Sequence, residues 1–254
     1  MNSFTESIYL AFRLISHFDA GLMSVVGRSL SISFLACICA CAIGLLAGGW
    51  LGVSRFPGRA GVLTLLNTYL AVPSVVVGLV IYLLLSRSGP LGFLGWLYSA
   101  KAMVLAQAVL VLPVVMALTR QTIEDAQSLH GEQLQSLGAG TLMRSVLLAW
   151  DERFALVTVI LAAFGRAVSE VGAVMIVGGN IEGFTRVMTT AIALETAQGD
   201  LPLALALGII LLSVVLLLNM FISLLKGWRE FHDQNEEKFS RKSKMDPASS
   251  SSKI

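Results

Sequence analysis

Long apolar runs separated by short polar segments shape most of this chain. Between Arg28 and Arg55 stand 26 uncharged residues, and between Arg59 and Arg87 another 27. A third run of 18 follows Lys101 and ends at Arg120, lengthening upstream if the Lys101 side chain snorkels. A fourth begins after Arg153 and carries two charges, Arg166 and Glu170, while the fifth is the 25 residues from Leu201 to Leu225. About 20 apolar residues are needed to cross a bilayer as a helix. The runs are continuous rather than alternating, which argues for helices and against barrel strands. The pattern predicts an all-α integral membrane protein with five spans.

Polar segments give the orientation, because Lys and Arg concentrate on the inner side. With the N-terminus outside, the inner segments 54–59, 119–153 and the tail hold two, three and seven basic residues. The outer segments hold five: Arg13, Arg28, Arg87, Lys101 and Arg186. Residues 1–28 are too short and polar to span. Phe4, Ile8, Phe12 and Ile15 recur there at helical spacing, which fits either an amphipathic helix on the outer surface or a simple leader. Glu6, Arg13 and Asp19 interrupt any short apolar core of a cleavable signal. Residues 226–254 are polar, mixed in charge and Ser-rich at the end, and are expected to form a disordered cytoplasmic tail.

Inside the spans, Gly44, Gly48 and Gly52 share one helix face and would let another backbone approach closely. Pro73 and Pro113 should kink their helices. Gln107, a lone amide at mid-depth, fits a bond to a neighbouring helix or a place along a pathway.

Composition agrees: 56% of the 254 residues are hydrophobic, 13% are charged, and mean hydropathy is +0.78. Twelve of the 34 charges fall in the last 30 residues, leaving 22 for the first 224. An ordinary soluble enzyme is excluded. A net charge of +2 gives no reason to expect nucleic acid as a partner. Cys37, Cys39 and Cys41 alternate along one apolar helix, so they read as packing residues rather than as disulfides or metal ligands. No metal site or cofactor is expected. No phosphate-loop motif is present, so any ATP-driven activity needs another chain.

The segment 119–153 is long for a connection between spans. Its apolar positions suggest two short amphipathic helices parted by Gly138 and Gly140, a shape suited to docking. Within it, Glu132-Gln133-Leu134 followed by Gly138 resembles the EAA loop of ABC importer permeases, with Leu137-Gly138-Ala139 matching a common Leu-Gly-Ala. Gln133, Leu134 and Trp150-Asp151 depart from that motif. A longer match runs through the segments 55–59, 86–92, 163–175, 177–181 and 185–196. Over residues 8 to 225 the chain resembles the permease of tungstate ABC importers, the TupB type, in the wider molybdate and sulfate group.

The resemblance implies a type I importer permease that is not itself an enzyme. Its implied partners are a second copy of itself, two ABC ATPase subunits, an external tungstate-binding protein and membrane lipid. It implies a bacterial or archaeal cytoplasmic membrane. Glu132, Leu137, Gly138 and Ala139 would couple to the ATPase. Arg166 and Glu170, the only charges deep in a span, would either gate the path or form a structural pair. Backbone amides near Gly178, Gly179 and Asn180, with the hydroxyls of Thr189 and Thr190, are candidate transient donors to a passing oxyanion. Molybdate or sulfate remains the rival cargo. An ion-driven secondary transporter would want paired carboxylates or inverted repeats, and neither is evident. A membrane scaffold would leave 119–153 without a partner.

Overall fold

A computed structural model describes residues 4–245, with side chains for 5–225 and 227. Ten α-helices, α9 being Met188–Gln198 and α10 Leu201–Met245, and one 3-10 turn at Gly92–Leu94 are the regular elements of the described residues, which include no strand. Three are long and apolar enough to cross a membrane unbroken: α2 (Ala20–Val53), α5 (Ala100–Ser136) and α10, apolar over Leu201–Leu225. Two further candidate spans are bent pairs. The helices α3 (Arg59–Leu70) and α4 (Ser74–Leu85) meet at 98°, and α7 (Arg153–Val168) and α8 (Gly172–Gly178) at 57°. With each pair as one span, the five expected spans are accounted for.

Pro73 causes the sharper break. It has no amide to continue the ladder, and it pushes the preceding residue out of the helical region. The chain closes α3 through Ala71 and Val72 amides on the Thr68 and Tyr69 carbonyls, then starts α4 at Ser74. Pro113, by contrast, sits inside α5, which continues unbroken through it. Neighbouring helices hold α5 on both sides of that gap.

The centre of the fold is the α2–α5 pair. A Cβ on Gly44 would lie 2.8 Å from Val115, on Gly48 2.7 Å from the Met116 carbonyl, and on Gly52 2.8 Å from Ile123. The glycine face therefore seats α5 directly on the α2 backbone, as its spacing predicts. Cys37 and Cys41 pack beside it with Val111, Val115, Val159 and Ala163, as small apolar residues. Phe34, Leu35, Ile43 and Leu46 of α2, and Leu212, Leu216 and Leu217 of α10, point outward, a surface that suits lipid.

Four boundaries differ from the sequence reading. The first span starts at Ala20, not after Arg28, because Asp19 caps it by accepting the Leu22 amide at 2.9 Å. Arg28 lies inside this helix and turns its charge onto the Arg186 and Gly183 carbonyls. The N-terminal segment forms α1 (Phe4–Ser16), yet it packs on α10 through buried Ser7 and Ala11 while Tyr9 and Phe12 face outward. Of the two short helices expected in 119–153, the first is the continuation of α5. Only the second, α6 (Thr141–Asp151), stands alone. Finally, α10 extends over Leu201–Met245, so residues 226–245 are helical rather than a disordered tail. No proline or β-branched residue occurs between Lys226 and Met245 to stop the helix. Residues 246–254 of the expected tail lie outside the described ones.

Candidate functional site

The two bent pairs meet near their breaks. A Cβ on Gly172 would lie 2.7 Å from Val75 and 2.9 Å from the Ser74 hydroxyl, and one on Gly78 would reach 2.6 Å from the Ala173 backbone. Helices α4 and α8 thus touch backbone to backbone just past the points where each span is interrupted. Helix breaks free main-chain polar groups, and in a membrane these are tolerated only where protein or a cavity satisfies them.

Arg166 and Glu170 occupy the α7–α8 break. The Arg166 Nη1 donates to Glu170 Oε2 at 3.1 Å, one helical turn apart. The two ends differ in setting: the Arg166 side chain is 50% exposed, the Glu170 side chain 4%. Glu170 is held from three directions. Its other carboxylate oxygen accepts the Ala173 amide at 3.2 Å, and its carbonyl accepts the Thr189 hydroxyl at 2.8 Å. Glu170 therefore fastens the break, whereas Arg166 keeps half its surface free. From α5, the Gln107 amide donates to the Ala167 carbonyl at 3.0 Å, so it bonds a neighbouring helix at this same break.

Most of the other candidate donors are bonded within the protein. Gly179 ends α8 in the left-handed region at φ 70°, and Asn180 follows at φ 50°. The Gly179 amide is bonded to the Met175 carbonyl, and the Gly178 carbonyl accepts the Thr185 hydroxyl. A Cβ on Gly178 would meet Met103 sulfur at 2.9 Å, so this glycine lets α8 close on α5. Gly179 likewise makes room for the Tyr98 ring. Tyr98, in the connection before α5, meets the Tyr82 ring edge-on at 6.3 Å, and the neighbouring Tyr82 hydroxyl holds its phenol above the usual range. The Thr189 hydroxyl is spent on Glu170 and the Thr190 hydroxyl on the Val187 backbone, while Asn180 donates to the Thr190 carbonyl. These groups knit the turn between Gly178 and Thr190 together, and of the expected donors Arg166 and Gly179 are the exposed ones in this conformation.

The second candidate region is the turn after α5. From Arg120 the helix continues to Ser136 as a stalk about 24 Å long. Glu132 lies exposed on its last turns. The stalk ends in a Schellman turn: the Ala139 amide reaches the Leu134 carbonyl at 3.0 Å and the Gly138 amide the Gln135 carbonyl at 3.0 Å. Gly138 supplies the left-handed residue at φ 79°. Leu137, Gly138 and Ala139 form the turn between α5 and α6 (Thr141–Asp151). Beyond it, α6 buries Ser145 and Leu148 against Val53, Ile123 and Ala126. Its opposite face presents Leu142 (72% exposed), Met143, Val146, Leu147 and Trp150 (73%). An apolar face of that kind on a polar stalk is a contact surface awaiting a partner.

This chain is 39% identical over 222 residues to the tungstate uptake system permease protein TupB of Peptoclostridium acidaminophilum, covering 87% of this chain and 97% of that protein. The chain belongs to the TupB family of ABC permeases. This TupB-family chain is also 41% identical over 204 residues to a probable anion ABC transporter permease of Haloferax volcanii, covering 78% of this chain and 88% of that one. More distantly, it is 31% identical over 207 residues to the sulfate transport system permease CysT of Salmonella typhimurium, covering 78% of this chain and 74% of that one. No family model matches the chain. As a member of this family it is a multi-pass membrane protein.

The TupB-family chain also carries polar clusters that its linear pattern conceals. At one end of the bundle Arg186 lies 3.6 Å from Glu195 and 3.7 Å from Glu182, and Arg28 caps the same loop. At the other end Arg59 and Arg120 both pair with Glu124. Arg120 and Glu124 are one turn apart and could be read from spacing. Arg59, 65 positions away from Glu124, could not. Among the described residues no group of His, Cys, Asp and Glu is placed to hold a metal.

Proposed function

We propose that the chain is the membrane-spanning subunit of an ATP-driven importer for tungstate. In this reading two copies form the pathway, two separate ATPase subunits drive it, and an external tungstate-binding protein delivers the ion. The N-terminus lies outside and the C-terminus in the cytoplasm. The observation that carries the reading is α6: an unpartnered apolar face, set at a fixed angle by the Gly138 turn, on a rigid extension of a membrane helix. The names of the relatives, tungstate uptake permeases and an anion permease, support the cargo class.

The geometry supplies a mechanical route. ATP-driven movement of the partner pushes α6 and the Glu132 end of α5. Helix α5 is continuous from Ser136 up to Ala100 and carries that motion to Gln107, about 37 Å away from Glu132. Gln107 is bonded to the Ala167 carbonyl at the α7–α8 break, beside Arg166 and Glu170. Displacing the break moves the half-exposed Arg166 relative to the path. Tungstate is a tetrahedral dianion, and moving it through hydrocarbon unaided is prohibitive. A guanidinium already offset by Glu170 gives it a passing contact rather than a trap, as release demands.

Sulfate and molybdate are the alternative cargo, favoured by the sulfate permease relative. The docking role is tested by co-purification. Val146→Asp and Trp150→Asp, both on the exposed face, should abolish ATPase recovery with the folded permease. Unchanged recovery would remove α6 as the docking element.

A further inference from the structure

Beside the coupling turn, a cavity of about 1010 Å³ opens between the α2–α3 turn, the α5 stalk and the start of α6. Ser54, Arg55, Arg59, Glu124, Glu132 and Arg144 are among the residues that line it, with Gln127 beside them. Counting Arg120, which shares Glu124 with Arg59, four guanidinium groups stand against two carboxylates, a formal charge of +2. Among the described residues Arg55 and Arg144 form no ion pair. Ser54 is 7% exposed, and its hydroxyl, the Arg59 Nε and the Arg144 Nε are buried without a hydrogen-bond acceptor in the protein. Buried donors lacking acceptors are costly, and guanidinium donors are the strongest partners for tetrahedral oxyanions. The Gln127 Oε1 is also unpartnered, an acceptor for a water in the anion's shell.

We propose that this cavity binds a hydrated tetrahedral oxyanion of the phosphate and tungstate class, held between Arg144 of α6 and the Ser54–Arg59 turn. The occupant ties α6 to the α2–α3 turn across the cavity, adding to the direct packing of α6 on the core through Ser145 on Gly49 and through Leu148. Glu132 opposes the anion from the stalk and limits its affinity. A free oxyanion and the phosphate of an acidic lipid headgroup offer the same chemistry. The site's inner-face position rests on the importer reading; its chemistry does not.

The test uses the permease–ATPase complex in nanodiscs of neutral phosphatidylcholine, titrated calorimetrically with tungstate and separately with inorganic phosphate. Arg144→Gln should weaken binding about tenfold or more. Glu132→Gln should tighten it several-fold, an opposite shift that misfolding cannot mimic. Arg87→Gln, an exposed position outside the cavity, should leave this binding unchanged. In discs containing phosphatidylglycerol, a lipid phosphate as occupant would displace the free anion and raise the melting temperature of the wild type but not of Arg144→Gln. The proposal is overturned if neither free anion nor acidic lipid distinguishes wild type from Arg144→Gln. It is equally overturned if anion binds the permease alone and is lost in the complex, which would assign the cavity to the ATPase. Phosphate binding is read without transport, so absent tungstate uptake would defeat the importer reading while leaving this result intact.

Discussion

Gly48→Ala places one methyl group against the α5 backbone in the α2–α5 seam. Its Cβ would lie 2.7 Å from the Met116 carbonyl oxygen and 2.8 Å from Thr119 Cβ. Ordinary contact begins near 3.4 Å, so α2 and α5 must part by about 0.7 Å, and the nearer obstacle is backbone that no rotamer change can clear. A gap of that size forfeits roughly a quarter to a half of the dispersion energy of neighbouring contacts. Gly44 on Val115 and Gly52 on Ile123 lie on the same stripe and would loosen together. Overpacking costs about 1–3 kcal/mol, against a gain of roughly 1 kcal/mol from replacing a helical glycine. The net loss expected is about 0–2 kcal/mol relative to the wild type, and about 1–3 kcal/mol relative to a glycine replaced without a clash. Gly27→Ala is the internal control: it sits in the same helix with nothing within 4 Å, so it should gain stability. Because parting the helices once relieves the other positions, the Gly44→Ala/Gly48→Ala pair should cost less than the sum of its members. Unfolding of the purified permease in detergent, followed by denaturant titration, reads all four variants. Gly48→Ala as stable as Gly27→Ala, or strict additivity along the stripe, would refute direct backbone seating of α5 on α2.

Three further perturbations probe the site. Gly138→Val puts a β-branched residue at φ 79° and should cost about 1–2 kcal/mol at that turn, lowering permease-stimulated ATP hydrolysis, whereas Gly138→Asn, which tolerates the left-handed region, should retain it. Arg166→Gln leaves the buried Glu170 carboxylate without its cation and should destabilise by about 1–3 kcal/mol, allowing for the exposure of Arg166. The double variant Arg166→Gln/Glu170→Gln should recover most of that loss in a mutant cycle yet transport poorly; normal uptake by it would deny Arg166 a place on the path. Leu148→Ala removes a buried anchor of α6 against Val53 and Ile123 and should cost about 2–4 kcal/mol in unfolding measurements, while Leu147→Ala on the free face should change stability by less than about 0.5 kcal/mol.

The spans were legible because lipid demands long uncharged stretches, and the glycine face because small residues at every fourth position serve little else. The Pro73 break could be read, since proline acts locally; its 98° angle could not, because it depends on α8 packing against α4. The start of the first span was misplaced because a charge reads as a boundary, whereas Arg28 folds back onto loop carbonyls distant in sequence. The stalk was read as a separate short helix because Glu124, Asp125 and Glu132 break the apolar pattern. Those residues are good or tolerable helix positions, and nothing before Leu137 stops α5. At the site, the Arg166–Glu170 pair follows from four-residue spacing. The inward commitment of Thr189, Thr190 and the Gly178–Asn180 turn does not, since their partners, Glu170 and Thr185 among them, come together only once the break has folded.

The central claim is that an ATPase acting on α6 drives an oxyanion through this subunit. Its most direct test is uptake into proteoliposomes containing the permease and its ATPase, with the external binding protein supplied outside and ATP enclosed. The account predicts tungstate accumulation that requires ATP, ceases with Val146→Asp in α6, and is competed by molybdate more readily than by phosphate. Accumulation driven by an ion gradient without ATP, or undiminished by Val146→Asp, would contradict it.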